Sequence, residues 1–209
     1  LIIGHQALKG VPLHGPTYMA ATAITGGALV GTVAGRYDAF NRQKADLIGS
    51  LQEATAELST ATTTEDVCDI SVRIANHVLD IPLTGIWLHD EDERALVPAS
   101  VAEPAIDAFD SPPTYRPGNS LSWDAFESCE RMRFDDLSAE SGRHNAETVI
   151  RSELIVPVGG LGVMNFGSTE PARFSSLDET VAQLLASTTE AALTRADREE
   201  TLRYQRRLL

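Results

Sequence analysis

Residues Glu147–Ala186 read ETVIRSELIVPVGGLGVMNFGSTEPARFSSLDETVAQLLA, and this stretch decides the fold. Leu154-Ile155-Val156-Pro157-Val158 is short, β-branched and ended by Gly159-Gly160, the pattern of a buried strand entering a hairpin. Leu161–Phe166 supplies the returning strand. Ser176 stands three residues before Glu179 at the head of an apolar-periodic segment. That capping-box pattern predicts a helix from Leu177. The glycines Gly159-Gly160-Leu161-Gly162 join two strands and lack a following Lys and Ser/Thr, so they read as a turn and not as a phosphate cradle.

Moving toward the N-terminus, Met132-Arg133-Phe134 reads as a short strand. A helix from Leu121 to about Glu130 has Asn119 or Ser120 as its cap. Gly85–His89 and Ala95–Val101 form a hairpin across Asp90-Glu91-Asp92-Glu93, and Pro98 marks an edge or bulge. Pro104–Pro117 carries four prolines and is irregular, with a short helix near Ala105–Phe109. Ser138–Glu147 is a polar loop. Glu65 and Asp66 open a helix whose apolar face is Val67, Ile70, Ile74 and Val78, and Pro82 ends it. Strands and helices do not alternate as βα units, so the class is α+β, an antiparallel sheet flanked by helices.

Farther out, residues 1–16 read as a loop. Thr17–Gly35 carries no charge and approaches the length of a membrane span. Ala23, Gly27, Gly31 and Gly35 form a small-residue ladder that lets helices approach closely in lipid. Arg36, Arg42 and Lys44 follow, which puts the C-terminal side in the cytoplasm. Residues 17–36 are therefore expected to be a transmembrane helix, the alternative being a glycine-rich soluble segment. Residues 37–60 form a linker helix whose seam Phe40, Leu47, Leu51, Ala54 and Leu58 suits a parallel homodimeric coiled coil. Gly49 weakens it and the threonine run Thr60–Thr64 breaks it. Residues 61–194 form one domain. Beyond Thr194 the last helix turns charge-rich, and residues 195–209 read as the start of a coiled-coil linker to an output domain. A chain that begins at Leu1 and ends inside a helical pattern reads as part of a longer protein.

Composition narrows the function classes. Hydrophobic residues make up 43% of the 209, enough for a packed core. The formal charge of −13 disfavours a nucleic-acid partner, which requires clustered Lys and Arg. Lysine occurs only at Lys9 and Lys44, and this acidic, lysine-poor surface fits a salt-adapted organism such as a halophilic archaeon. The two cysteines, Cys68 and Cys129, suggest neither a disulfide framework nor a zinc site. The five histidines form no metal-binding pair, and no catalytic constellation stands out.

Val156-Pro157-Val158, Gly162-Val163, Asn165, Ser168–Pro171, Phe174 and Asp178-Glu179 together resemble the end of GAF domains. The nearest pattern is that of haloarchaeal membrane-associated histidine kinases and bacterio-opsin-activator-like regulators. The resemblance spans roughly Leu51–Ala192, and Pro117–Leu137 also matches. It implies a sensor domain on the cytoplasmic side of the cell membrane, relaying a small-molecule or membrane signal through helical dimer linkers. The alternatives are a ligand-free dimerisation module and the input domain of a transcription regulator. Cyclic-nucleotide-binding members carry Asn-Lys upstream of Phe-x3-Asp-Glu; Phe174, Asp178 and Glu179 match only the second half. Free-methionine-sulfoxide reductases share the fold but depend on several cysteines. The resemblance names no cofactor. It places the pocket between one sheet face and the segment after the second strand. The ligand-contact candidates are Tyr115, Arg116, Trp123, Phe126, His144 and, on the covering helix, Cys129.

Overall fold

The computed structural model describes residues 49, 52, 55–109, 111–145 and 147–207. The expected loop 1–16, the expected transmembrane helix 17–36 and most of the linker helix 37–60 lie outside the described residues. Among the described residues no helix is long and apolar enough to cross a membrane.

Residues 55–60 are helical. Then come α1 (Thr64–Leu79), β1 (Leu83–Asp90), β2 (Ala95–Val101), α2 (Glu103–Phe109) and α3 (Leu121–Ser128). They are followed by β3 (Met132–Phe134), a 3-10 turn (Leu137–Ala139), β4 (Ser152–Pro157), β5 (Gly162–Ser168) and α4 (Ser176–Arg207). The sheet order is β2-β1-β5-β4-β3, antiparallel throughout. The β4–β5 hairpin therefore supplies the centre of the sheet. Pro98 lies on the edge strand β2, and the register slips between Ile86 and Trp87 on the neighbouring strand. A proline has no N–H for the ladder, so an edge tolerates it. The hairpin closes with Val158 N–H donating to Gly162 O at 2.8 Å, and Gly159 takes φ +54°, a conformation that favours glycine.

Side chains alternate across the sheet with the strand period of two. Ile86, Leu154, Val156, Met164 and Phe166, all fully buried, occupy the alternate positions and face α1 and α4. On the opposite face Trp87, Ile155 and Val163 join Leu96, Tyr115, Trp123 and Ala125 in a second apolar cluster. Each large aliphatic or aromatic side chain so buried contributes about 1.5–3 kcal/mol.

The helix ends differ from the sequence expectation in informative ways. The threonine run does more than stop a helix: Thr63 caps α1, its Oγ1 accepting from Asp66 N–H at 3.1 Å. Helix α3 stops at Ser128, not Glu130, because Cys129 takes the left-handed conformation at φ 54°. At α4 the capping residue is Ser175, one position before the expected Ser176. Asp178 N–H donates to Ser175 Oγ at 3.3 Å and Ser175 N–H donates to Asp178 Oδ2 at 2.7 Å. Glu179, the expected partner, pairs instead with Arg133 at 2.5 Å and Arg131 at 3.2 Å. Helix α4 has 32 residues, about 48 Å at 1.5 Å per residue. It packs along α1, where Ser71 and Thr189 share a buried hydrogen bond of 2.8 Å. Its buried stripe runs through Ala196, past the expected boundary at Thr194. There Arg195 donates to Leu58 O at 2.7 Å and Ala61 O at 3.0 Å. Leu58, the last residue of the expected dimer seam, is 1% exposed and buried within its own chain.

Candidate functional site

The face of the sheet turned away from α1 and α4 carries a cavity of about 600 Å³. Its floor follows from the strand register. Leu83, Gly167 and Glu153 form one cross-strand row, and Gly85, Asn165 and Ile155 form the next. Two of these six positions are glycine, which leaves space where side chains would stand. A Cβ at Gly167 would lie 2.7 Å from Ile150 Cδ1, and one at Gly85 would lie 2.7 Å from the Trp87 ring. The glycines thus let the Trp87 ring and the Ile150 side chain lie across the floor.

The walls come from four segments. Residues 111–115 are fixed by Trp87 Nε1 donating to Pro113 O at 2.7 Å and by a two-bond bridge between Leu96 and Tyr115. Helix α3 contributes its first turn, where Ser120 Oγ accepts from Trp123 N–H at 3.1 Å. Helix α2 supplies Ala105, and residues 143–145 and 147–150 complete the lining.

On and beside the floor Asn165, Glu153, Tyr115 and Ser122 come together. Asn165 is 5% exposed; its Nδ2 donates to Ser122 Oγ at 2.8 Å, while its Oδ1 has no partner among the described residues. Burying an unpaired amide oxygen costs about 1–3 kcal/mol, so an occupant that bonds it recovers that loss. Glu153, half-buried on the same floor, takes part in no ion pair among the described residues. Loss of water around its carboxyl pushes its pKa from 4.5 up to about 7. Tyr115 is also pushed upward, by burial first and the nearby Glu153 charge second, with Ser122 and Asn165 acting in the opposite sense. These four side chains therefore form one electrostatic group.

Of the residues expected from sequence, Tyr115 and His144 line the cavity. Their rings meet edge to face at 5.4 Å and 84°. Trp123 lies in the apolar cluster beneath, edge to face with His89 and Phe126. Arg116 reaches away to the β1–β2 turn, donating to Glu93 O at 2.8 Å and pairing with its carboxylate at 3.1 Å. Cys129 is exposed at the end of α3, where its Sγ donates to Phe126 O at 3.6 Å. The other thiol, Cys68, is buried and pushed up to about 12, by burial first and Asp69 second, which keeps it protonated and unreactive. Glu153 and Ser122 are not among the residues expected from sequence, and Asn165 enters there only through the family resemblance. The one available signal was period two: Glu153, Ile155 and Pro157 share a face with the strand's buried side. No group of His, Cys, Asp and Glu among the described residues could hold a metal ion.

Comparisons with known proteins agree with this architecture. The GAF domain family profile matches residues 61–194. No curated protein matches. Among solved structures, the GAF domain of an Acinetobacter phosphoenolpyruvate-protein phosphotransferase is similar at 18% identity and TM-score 0.64, over 72% of this chain and 93% of that one. A free methionine-R-sulfoxide reductase from Neisseria meningitidis is similar at 17% identity and TM-score 0.65, over 73% and 90%. The GAF domain of the cyanobacteriochrome TePixJ gives 19% and 0.54, over 67% and 94%. At these identities the structural likeness bears on the fold alone. The profile match extends over more than half of the chain, through both strands of the central hairpin and the packed part of α4, and on that ground the chain belongs to the GAF domain family, a module common among signalling sensors.

Proposed function

We propose that this GAF domain senses a small molecule bound in the cavity and passes the signal to an output domain through its terminal helices. The observation that carries the reading is the unpaired Asn165 Oδ1 on the floor of a 600 Å³ cavity. Small-ligand sites set converging polar groups among apolar walls; here Trp87, Val101 and Leu121 line the cavity together with Ser122, Glu153 and Asn165. Asn165 sits on β5, whose alternate residues Met164 and Phe166 face the α1–α4 layer. A ligand that shifts β5 therefore changes what the long helix packs on, which is the differential contact that coupling requires.

The finer reading is the input domain of a membrane-bound histidine kinase that works as a homodimer. It draws on the uncharged run 17–35 and on α4. Leu184 and Leu202 are about half exposed and lie eighteen residues apart (202 − 184), five helical turns, on one face. That spacing suits a second copy of the helix.

A thermal-shift screen of the full chain with nucleotides, tetrapyrroles and amino acids tests the sensing reading. A ligand specific to the folded state raises the melting temperature. Asn165→Leu, similar in volume, is expected to abolish the shift. An equal shift in the variant, or silence across the screen, would sink the reading.

A further inference from the structure

We propose that the ligand carries a protonated amine, which Glu153 and Asn165 together recognise on the cavity floor. The proposal rests on the cavity being a ligand site and names the chemistry of its occupant. Three observations bear on it. Glu153 and Asn165 are diagonal neighbours on adjacent strands: Glu153 pairs with Gly167, and Asn165 is two residues from Gly167 on the same face. Such positions lie roughly 7–8 Å apart, the span one donor group can bridge when both side chains lean toward it. Of the two positions flanking this diagonal, Gly167 carries no side chain of its own, although Ile150 Cδ1 lies over it, and Ile155 is the other. Both groups offer oxygen: Asn165 commits its Nδ2 to Ser122 and leaves Oδ1 unpaired, and no cation pairs with Glu153 among the described residues.

Where Glu153 is ionised, above about pH 7, an anionic ligand fits this floor poorly, since it would place a second negative charge against Glu153 and face the lone pairs of Asn165. A neutral apolar ligand would leave both acceptors buried and unsatisfied. An ammonium group satisfies both and supplies the missing counter-charge. The charged and titratable groups around Glu153 are Tyr115 on the wall and Arg143, His144 and Glu147 on the lining loop. On that loop Arg143 Nε donates to Glu140 O at 2.9 Å, and the His144 ring meets Tyr115 edge to face; the carboxylate of an amino acid would face this loop.

Isothermal titration calorimetry on the full 209-residue chain tests the proposal. The probes are free amino acids, matching amines without the carboxylate (tyramine, agmatine), N-acetylated amino acids, and cyclic nucleotides. At least one free amine is expected to bind, and acetylation to weaken it roughly tenfold or more, as loss of a charged hydrogen bond does. Glu153→Gln should weaken it by a similar factor while raising the melting temperature of the ligand-free chain at pH 8. Those opposite movements separate recognition from a structural role. Amines binding as well as amino acids would assign the ammonium alone; amino acids only would add the lining loop as a second anchor. Equal binding of acetylated probes, unchanged binding in Glu153→Gln, or binding of cyclic nucleotides only would overturn the amine and leave the cavity reading standing. Silence from every probe overturns the amine as well, and the broader reading falls with it only if the thermal-shift screen is also silent.

Discussion

Single residues set both the shape and the charge of the cavity. Glu153 has its carboxyl pushed above the ordinary value, from 4.5 to about 7. Its contribution to stability is therefore fully present below about pH 4.5 and is lost as the pH rises through about 7. The full shift would correspond to about 3 kcal/mol; the carboxyl keeps some contact with water, so about 2 kcal/mol is the expected loss. Urea melts of the ligand-free chain between pH 5 and 8 should show this decline, and Glu153→Gln should flatten it; parallel profiles would contradict the assignment. Glycine positions sort by the same reasoning. A Cβ at Gly162 would run into the Trp87 carbonyl, which is backbone and cannot swing aside, whereas at Gly160 it meets nothing within 4 Å. Gly162→Ala is expected to cost about 2 kcal/mol or more, and Gly160→Ala well under 1 kcal/mol. Denaturation midpoints of the two variants check the contrast.

At the level of elements, legibility in the sequence follows the range of the forces involved. Ala95–Val101 and Met132–Phe134 read directly from local pattern, because β-branched and apolar runs bounded by turn residues carry their own signal. The cap of α4 does not. Ser175 and Ser176 both precede an acidic residue by three, so the sequence offers two overlapping boxes. The choice between them falls to Arg131 and Arg133, some 46 residues away, which engage Glu179 and leave Asp178 to Ser175. Ser175→Ala should therefore cost about 1 kcal/mol and Ser176→Ala almost nothing; the reverse order in melting temperatures would restore the Ser176 box. The cavity divides in the same way. Tyr115 and His144 are legible as aromatic and titratable residues in segments that the resemblance marks as pocket-forming. Glu153 is not, since a glutamate at the start of a strand reads as solvent-facing. Its burial depends on the lining loop and on a glycine in another strand.

The whole molecule carries a net charge of −13, from 30 acidic and 17 basic residues, and salt acts on it in two opposing ways. Screening relieves the repulsion among the excess carboxylates, which favours the compact state. It also weakens ion pairs such as Arg73–Glu57, Arg116–Glu93 and Arg151–Asp136, whose side chains are about 37–61% exposed. Exposed pairs of that kind are each worth about 0–1 kcal/mol, and several share their charge with backbone bonds that salt leaves intact: Arg116 also holds Glu93 O, and Asp136 also accepts from Ser138 N–H. The repulsion has no such offset, because thirteen acidic charges lack any basic counterpart in the chain. Relief of repulsion should therefore win. The melting temperature is expected to climb as potassium chloride rises from about 0.05 M, and most steeply below about 1 M, where the screening length falls from above 10 Å to about 3 Å. Sodium chloride should give the same curve at equal ionic strength, since screening depends on valence and not on the identity of the ion. A melting temperature that is flat or falls over this range would mean that the exposed pairs outweigh the net charge, and the salt-adapted reading of this acidic surface would fail with it.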